Sequence, residues 1–239
     1  ILEGGALLIY EQTQKNHNYV ITVDVSKGRG QDYSTLCVFD ISAEPFKQVA
    51  SYRDNLISPL LFPNIIYKIA KSYNRAFVVV ESNDQGGIVC NGLYHDLEYD
   101  NLFMSSLTKH DGIGVEITRK TKRIGCTAIK ELLENQKLHI VDENTIIECS
   151  TFVERRNSWE ASDGNHDDLM MNLVMFGYFV STRMFNDLTD IDLKSLIYDE
   201  EIKKIDDDVL PFGYDNGLNN DIDYEEESKK GVQVVDWTF

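Results

Sequence analysis

Two short runs constrain this chain most: Tyr19-Val20-Ile21-Thr22-Val23 and Phe77-Val78-Val79-Val80, each ending in an acid, Asp24 and Glu81. A continuous apolar run of four or five residues reads as a strand covered on both faces, which places the chain in an α/β architecture. A third acid, Asp168, opens a helical stretch in His166-Asp167-Asp168-Leu169. A carboxylate at the end of a buried element is hard to desolvate without a partner, so three of them point to a shared hard cation, Mg2+ or Mn2+.

The order of elements is legible from periodicity. Residues 19–26, 34–41 and 46–52 read as an antiparallel meander, with a turn at Ser26-Lys27-Gly28-Arg29-Gly30-Gln31-Asp32 after the first strand. Leu60, Leu61, Ile65, Ile66, Ile69 and Ala70 recur at a helical period over 59–73. After the strand at 77–80 we expect a helix near 86–98, a short strand near 102–105, a helix near 121–135, a strand at 137–141 and a closing helix from Asp168 to Val180. In that helix Leu169, Leu173, Phe176 and Val180 form one stripe. The expected fold is a mixed sheet, a meander and then alternating strands and helices, with flanking helices.

At this point a resemblance becomes specific. Val23-Asp24-Val25-Ser26 with Gly30-Gln31-Asp32-Tyr33-Ser34, Val80-Glu81-Ser82-Asn83 with Gly86, and His166-Asp167-Asp168 resemble, in this order, the nuclease domain of the large terminase subunit of tailed bacteriophages, T-even type, within the ribonuclease H-like superfamily. The resemblance spans about residues 19–182. It implies a metal-dependent endonuclease cutting concatemeric viral DNA with little sequence specificity, joined in the full-length protein to an N-terminal packaging ATPase. No G-x-x-x-x-G-K-[ST] loop occurs here, so residues 1–18 are expected to be a connector to that part, 19–185 the nuclease domain and 186–239 an acidic extension. The expected location is the cytoplasm of an infected host cell. Two other readings stay open, a catalytically silent portal or capsid docking module and an actin- or sugar-kinase-like nucleotide-binding domain.

The expected site follows two-metal logic. Two divalent ions activate a water and stabilise the leaving oxygen of a phosphodiester, with Asp24 bridging and Glu81 and Asp168 each completing one ion. About 100° per residue puts Asp168 on the flank of the apolar stripe and Asp167 opposite its centre, so Asp168 is the better ligand. Asp167, Asp32 and His166 are held as outer-shell groups or alternative ligands. Many relatives carry an Asp three positions after Asp168; here that position is Met171.

The formal net charge of −17 argues against a nucleic-acid partner until it is located along the chain. Of 40 acids and 23 bases, 16 and 5 fall within 186–239, leaving 24 acids against 18 bases in residues 1–185. Within that part, Arg119, Lys120, Lys122 and Arg123 form the densest basic run, expected in a loop opening a helix. Lys27, Arg29 and Arg155-Arg156 would extend a path for double-stranded DNA. The acidic extension, with a helix expected at 191–205, reads either as a solubilising tail or as a docking element for portal or capsid. Cys37, Cys90, Cys126 and Cys149 form no CxxC pair and read as core residues. No apolar run approaches membrane-spanning length, and no membrane role is expected.

Overall fold

The computed structural model describes residues 6–105, 112–155 and 158–189. The helix expected at 191–205 and the acidic extension from 190 onward lie outside the described residues. At the centre stand three meander strands, β2 (Tyr19–Asp24), β3 (Ser34–Asp40) and β4 (Phe46–Asp54), following a short edge strand β1 (Leu7–Ile9). Helix α1 (Phe62–Ser72) leads to β5 (Phe77–Val80), which pairs with β2 in parallel, so the sheet order is β1-β4-β3-β2-β5. Residues 7–9, expected in a connector, are therefore part of the sheet, paired antiparallel with Ala50–Tyr52 of β4.

Strand parity divides the core in two. Tyr19, Ile21, Val23, Leu36, Val38, Val78 and Val80 face α1, while Val20, Cys37, Phe39, Phe77 and Val79 face the opposite side. That opposite layer is built by α3 (Arg119–Glu134) and α5 (Asp168–Val180). Phe39 stacks on Phe176 with ring centroids 4.2 Å apart, and Phe77 on Phe179 at 5.1 Å. Both faces are covered, and that is why β2 and β5 read as unbroken apolar runs rather than alternating ones.

Helix α5 departs from the expected single stripe. Every residue from Asp168 to Gly177 is buried, because the sheet covers one side and α3 another. The two helices meet at Gly125 and Gly177. A Cβ on Gly125 would sit 2.2 Å from the Val174 carbonyl oxygen, and one on Gly177 2.5 Å from that of Gly125. Only hydrogen fits at this crossing.

Other expectations change in detail. The strand near 102–105 is reduced to isolated bridges at Leu102 and Met104, and that at 137–141 to β6 (Leu138–His139), parallel to β4. The helix near 86–98 is α2 (Gly86–Asn91) widening into a π turn, Gly92–Asp96. Helix α4 (Glu143–Thr151) and the hairpin β7 (Phe152–Arg155) and β8 (Ser158–Ala161) were not expected. They lack strong periodicity, since α4 leaves Ile146 and Ile147 half exposed. Of the cysteines, Cys37 and Cys90 are buried, while Cys126 and Cys149 are partly exposed, and all are free thiols. Among the described residues no helix is long and apolar enough to cross a membrane.

The helix crossing gives a first prediction. Gly125→Ala forces α3 off α5 and should lower unfolding stability by about 1–3 kcal/mol, the usual cost of overpacking a close contact. Urea denaturation checks it; an unchanged midpoint would show that the crossing tolerates a methyl group.

Candidate metal centre

Parity also builds the site. Asp24 shares the face of Val20, and Glu81 that of Phe77 and Val79, so both carboxylates project toward the layer that holds α5. The parallel register pairs Val23 with Val80, and the Glu81 amide donates to the Val23 carbonyl at 3.0 Å, which sets Asp24 and Glu81 side by side at the carboxyl ends of neighbouring strands. Asp168 arrives from the first turn of α5. Thr35 of β3, the cross-strand partner of Asp24, holds that turn by donating from Oγ1 to the Asp168 carbonyl at 3.0 Å. Asn172 Nδ2 donates to the same carbonyl at 3.0 Å and to Thr35 Oγ1 at 2.6 Å.

Asp24, Glu81 and Asp168 line one cleft of about 290 Å3 together with Ser26, Lys27, Arg29, Asp32 and Tyr33. Helix α2 starts directly beneath it, where a Cβ on Gly86 would stand 1.7 Å from the Glu81 carbonyl oxygen. Asp167 does not line this cleft. Its carboxylate lies 3.9 Å from Lys122 Nζ, one-third exposed. Asp32 is exposed at the rim, and His166 Nδ1 stands 3.5 Å from Asp168 Oδ2 with its ring edge-on to Tyr33.

Electrostatically the cluster is strained as anions. Burial, then the Glu81 and Asp168 charges, push the Asp24 carboxyl well above the usual carboxylate range. Burial also raises Glu81, eased by the neighbouring Asp24 carboxyl and by the Lys122 charge. Asp168 is pushed up to about 6, chiefly by burial, with the Tyr33 backbone amide and His166 opposing and Glu148 reinforcing the shift. Its Oδ2 is buried with no hydrogen-bond donor, in a residue that lines the cleft with four further acids, Asp24, Asp32, Glu81 and Asp84. This donor set fits a hard divalent cation. Among the described residues no group of three or more His, Cys, Asp or Glu side chains is gathered tightly enough to hold an ion.

The basic run is not in a loop. Thr118 caps α3, accepting from the Thr121 amide at 3.2 Å, and Arg119 to Arg123 form the first helical turns. Arg119, Lys120 and Arg123 are exposed, whereas Lys122 turns inward, its side chain 17% exposed, between Asp167 and the Phe152 ring. Helical phase explains the split: at about 100° per residue, Arg119, Arg123 and Lys120 fall at roughly 0°, 40° and 100°, and Lys122 at roughly 300°, outside that arc. Arg155 is engaged by Asp163 at 2.7 Å, and Arg156 lies outside the described residues. Two residues at this site carried no sequence signal: Arg53, whose guanidinium stacks 3.8 Å over Tyr33, and Glu148, buried beside α5. An isolated Glu inside an unrecognised helix looks like any surface acid until the fold buries it.

A three-layer domain with acids at the ends of two neighbouring parallel strands and of the helix packed on them is a ribonuclease H-like arrangement. A family model for the terminase RNase H-like domain matches residues 21–176, and the chain belongs to that family. Its fold is similar to the large terminase nuclease of thermophilic phage G20c, crystallised with cobalt: TM-score 0.59, 19% identity, covering 73% of this chain and 87% of that one. It is also similar to the Thermus phage P74-26 large terminase nuclease domain, at TM-score 0.57 and 21% identity over 72% and 84%. A large terminase from a further thermophilic bacteriophage matches at TM-score 0.51 and 14% identity over 74% of this chain, which spans 42% of that protein.

A carboxyl at about 6 in the fold and near 4 when unfolded holds more protons folded than unfolded between those values. Its contribution to stability is therefore complete below about pH 4 and lost as pH rises through 6. In chelator, Asp168→Asn should melt higher than the parent at pH 7 and above, with the two converging at acidic pH. Thermal melts across that range check the sign, and a parent more stable than the variant at pH 7 would contradict the assignment.

Proposed function

We propose that this domain is a divalent-metal-dependent endodeoxyribonuclease that cuts double-stranded DNA with little sequence preference, as part of a phage packaging terminase. The observation that carries the reading is the convergence of Asp24, Glu81 and Asp168 on one cleft, with Asp168 Oδ2 buried and without a donor. The fold-similar G20c nuclease has been crystallised with cobalt and with magnesium, which supports a divalent ion here. Divalent ions bound by these carboxylates would supply the Lewis acidity and the activated water for phosphodiester hydrolysis, in the two-ion manner that carboxylate clusters favour.

The chain's own residues do the rest. Asp24 occupies the middle position and would bridge; Glu81 and Asp168 hold the flanks. Lys122 is the one inward cation among the four bases of α3's first turns, and its charge eases the ionised form of Glu81. Lys27 and Arg29 on the cleft rim, with exposed Arg119, Lys120 and Arg123, would take the DNA phosphates, contacts that position a duplex and read no sequence. Asp32 and His166 would act as outer-shell groups, and Asp167 as the anchor of Lys122. The longer thermophilic-phage terminase that shares this fold, of which this chain spans 42%, supports a role as one part of a larger chain; a packaging ATPase as the adjoining part and the infected cell's cytoplasm as the place of action belong to the same proposal.

Asp24→Asn should abolish plasmid nicking in Mg2+ or Mn2+ while the protein stays folded by thermal melt; a folded variant that still cuts would sink the assignment. Between the paired acids, Asp168→Asn should cost far more activity than Asp167→Asn, and the opposite ranking would move the third ligand to Asp167. For DNA binding, replacing Arg119, Lys120 and Arg123 with Ala should shallow the salt dependence by about 0.9 per lost phosphate contact, equally on two unrelated duplexes in Ca2+. An unchanged slope would move the phosphate path to Lys27, Arg29, Arg155 and Arg156.

A further inference from the structure

Helix α5 begins without a cap of its own. Its N-cap residue, Asp167, makes no side-chain hydrogen bond to the helix, although aspartate is among the residues that most readily do so. The amides that an N-cap side chain normally satisfies are those of Leu169 and Met170. Both donate instead to Glu148 Oε2, at 2.7 and 3.0 Å. Glu148 belongs to α4, is 5% exposed, and comes from a different part of the chain.

The support behind Glu148 is rigid. The Asp142 side chain caps α4 by accepting from the Thr145 amide at 3.0 Å. Buried Gln48 of β4 accepts from the Asp142 amide at 3.1 Å and donates to Thr145 Oγ1 at the same distance, tying α4 to the sheet. The second oxygen of Glu148 faces the Arg53 guanidinium at 3.6 Å, and Arg53 is itself fixed over the Tyr33 ring.

Placing a buried acid beside Asp168 is costly in charge terms, since Glu148 raises the Asp168 carboxyl further. An acid there has a purpose if the helix-end amides must be kept from the acids of α5 itself. With those amides free, Asp167 would fold back as the cap, turning the peptide that carries Asp168. We infer that Glu148 is a positioning residue that caps α5 from α4, leaving the acidic pair uncapped so that Asp168 Oδ2 remains available to a divalent cation. This inference rests on the proposed metal site and adds a residue to it.

The test uses the full chain and Mn2+ binding followed by electron paramagnetic resonance, with thermal melts in chelator alongside. Glu148→Leu keeps the volume and removes the acceptor; it should bind Mn2+ about 10–100-fold more weakly, the usual effect of losing a group that orients a ligand. Glu148→Gln retains an acceptor oxygen for the two amides and should bind within a few-fold of the parent. Equal binding by parent and Glu148→Leu would overturn the inference, and so would Glu148→Gln binding as weakly as Glu148→Leu, since charge rather than capping would then be at work. If Glu148→Leu does not fold, Asp167→Ala decides. Lys122→Ala loses the same ion pair, so in chelator Asp167→Ala should melt no lower than Lys122→Ala, and a clearly lower melt would return the cap to Asp167. A parent that binds no Mn2+ would instead remove the metal-site reading itself.

Discussion

The parallel pairing of β2 with β5 is the constraint on which the site depends. Val23 opposite Val80 fixes which residues leave the sheet together, and alternation of side chains fixes their face. A slip of one residue in that register would send Glu81 to the α1 side and leave Asp24 alone beneath α5. Register is held because both faces are buried: Ile21, Val23, Val78 and Val80 fill one layer, and Val20, Phe77 and Val79 the other. Core packing and metal-site geometry are thus the same requirement seen from two ends of one strand pair.

The third acid is brought in by a different device. Asp168 reaches the strands because α5 packs against β2 and β3, while Gly125 and Gly177 let α3 close on another side of the same helix to backbone contact. The carbonyl of Asp168 is then bound by Thr35 and Asn172. Thr35 is the strand partner of Asp24, so a single hydrogen bond links the helix end to the strand that supplies the central carboxylate. Asp24 and Asp168 sit within β2 and α5 and Glu81 directly follows β5, so packed elements rather than long loops position all three acids.

What was legible in the sequence was what periodicity and composition write down. Runs such as Tyr19–Val23 and Phe77–Val80 announce doubly covered strands, and an acid at the end of each is visible without coordinates. The pairing of Asp167 with Lys122, and the split of the basic run into three outward residues and one inward, depend on where α3 begins. Thr118 and Thr121 set that start through a capping box lacking the usual Glu or Gln, which hides it from a sequence scan. Helix α4 was missed for a related reason. Its half-exposed Ile146 and Ile147 break the apolar stripe, and what it buries is Thr145 and Glu148, residues that composition assigns to the surface.

Glu148 also clarifies why so acidic a domain does not contradict a polyanionic substrate. The acids in and around the cleft are not uniformly spread surface charge: Asp24, Glu81 and Asp168 converge on it, Asp32 and Asp84 are exposed along it, Glu148 caps a helix, and Asp167 anchors Lys122. Burial penalises the ionised forms of the converging three, and close mutual repulsion adds to that cost, so a small hard cation relieves more free energy here than it would at an exposed cluster. The exposed bases of α3's first turns stay outward, free of the acid cluster that has drawn in Lys122. Separating an acidic interior from a basic rim needs no net positive charge on the domain, only that each sign be placed on its own surface.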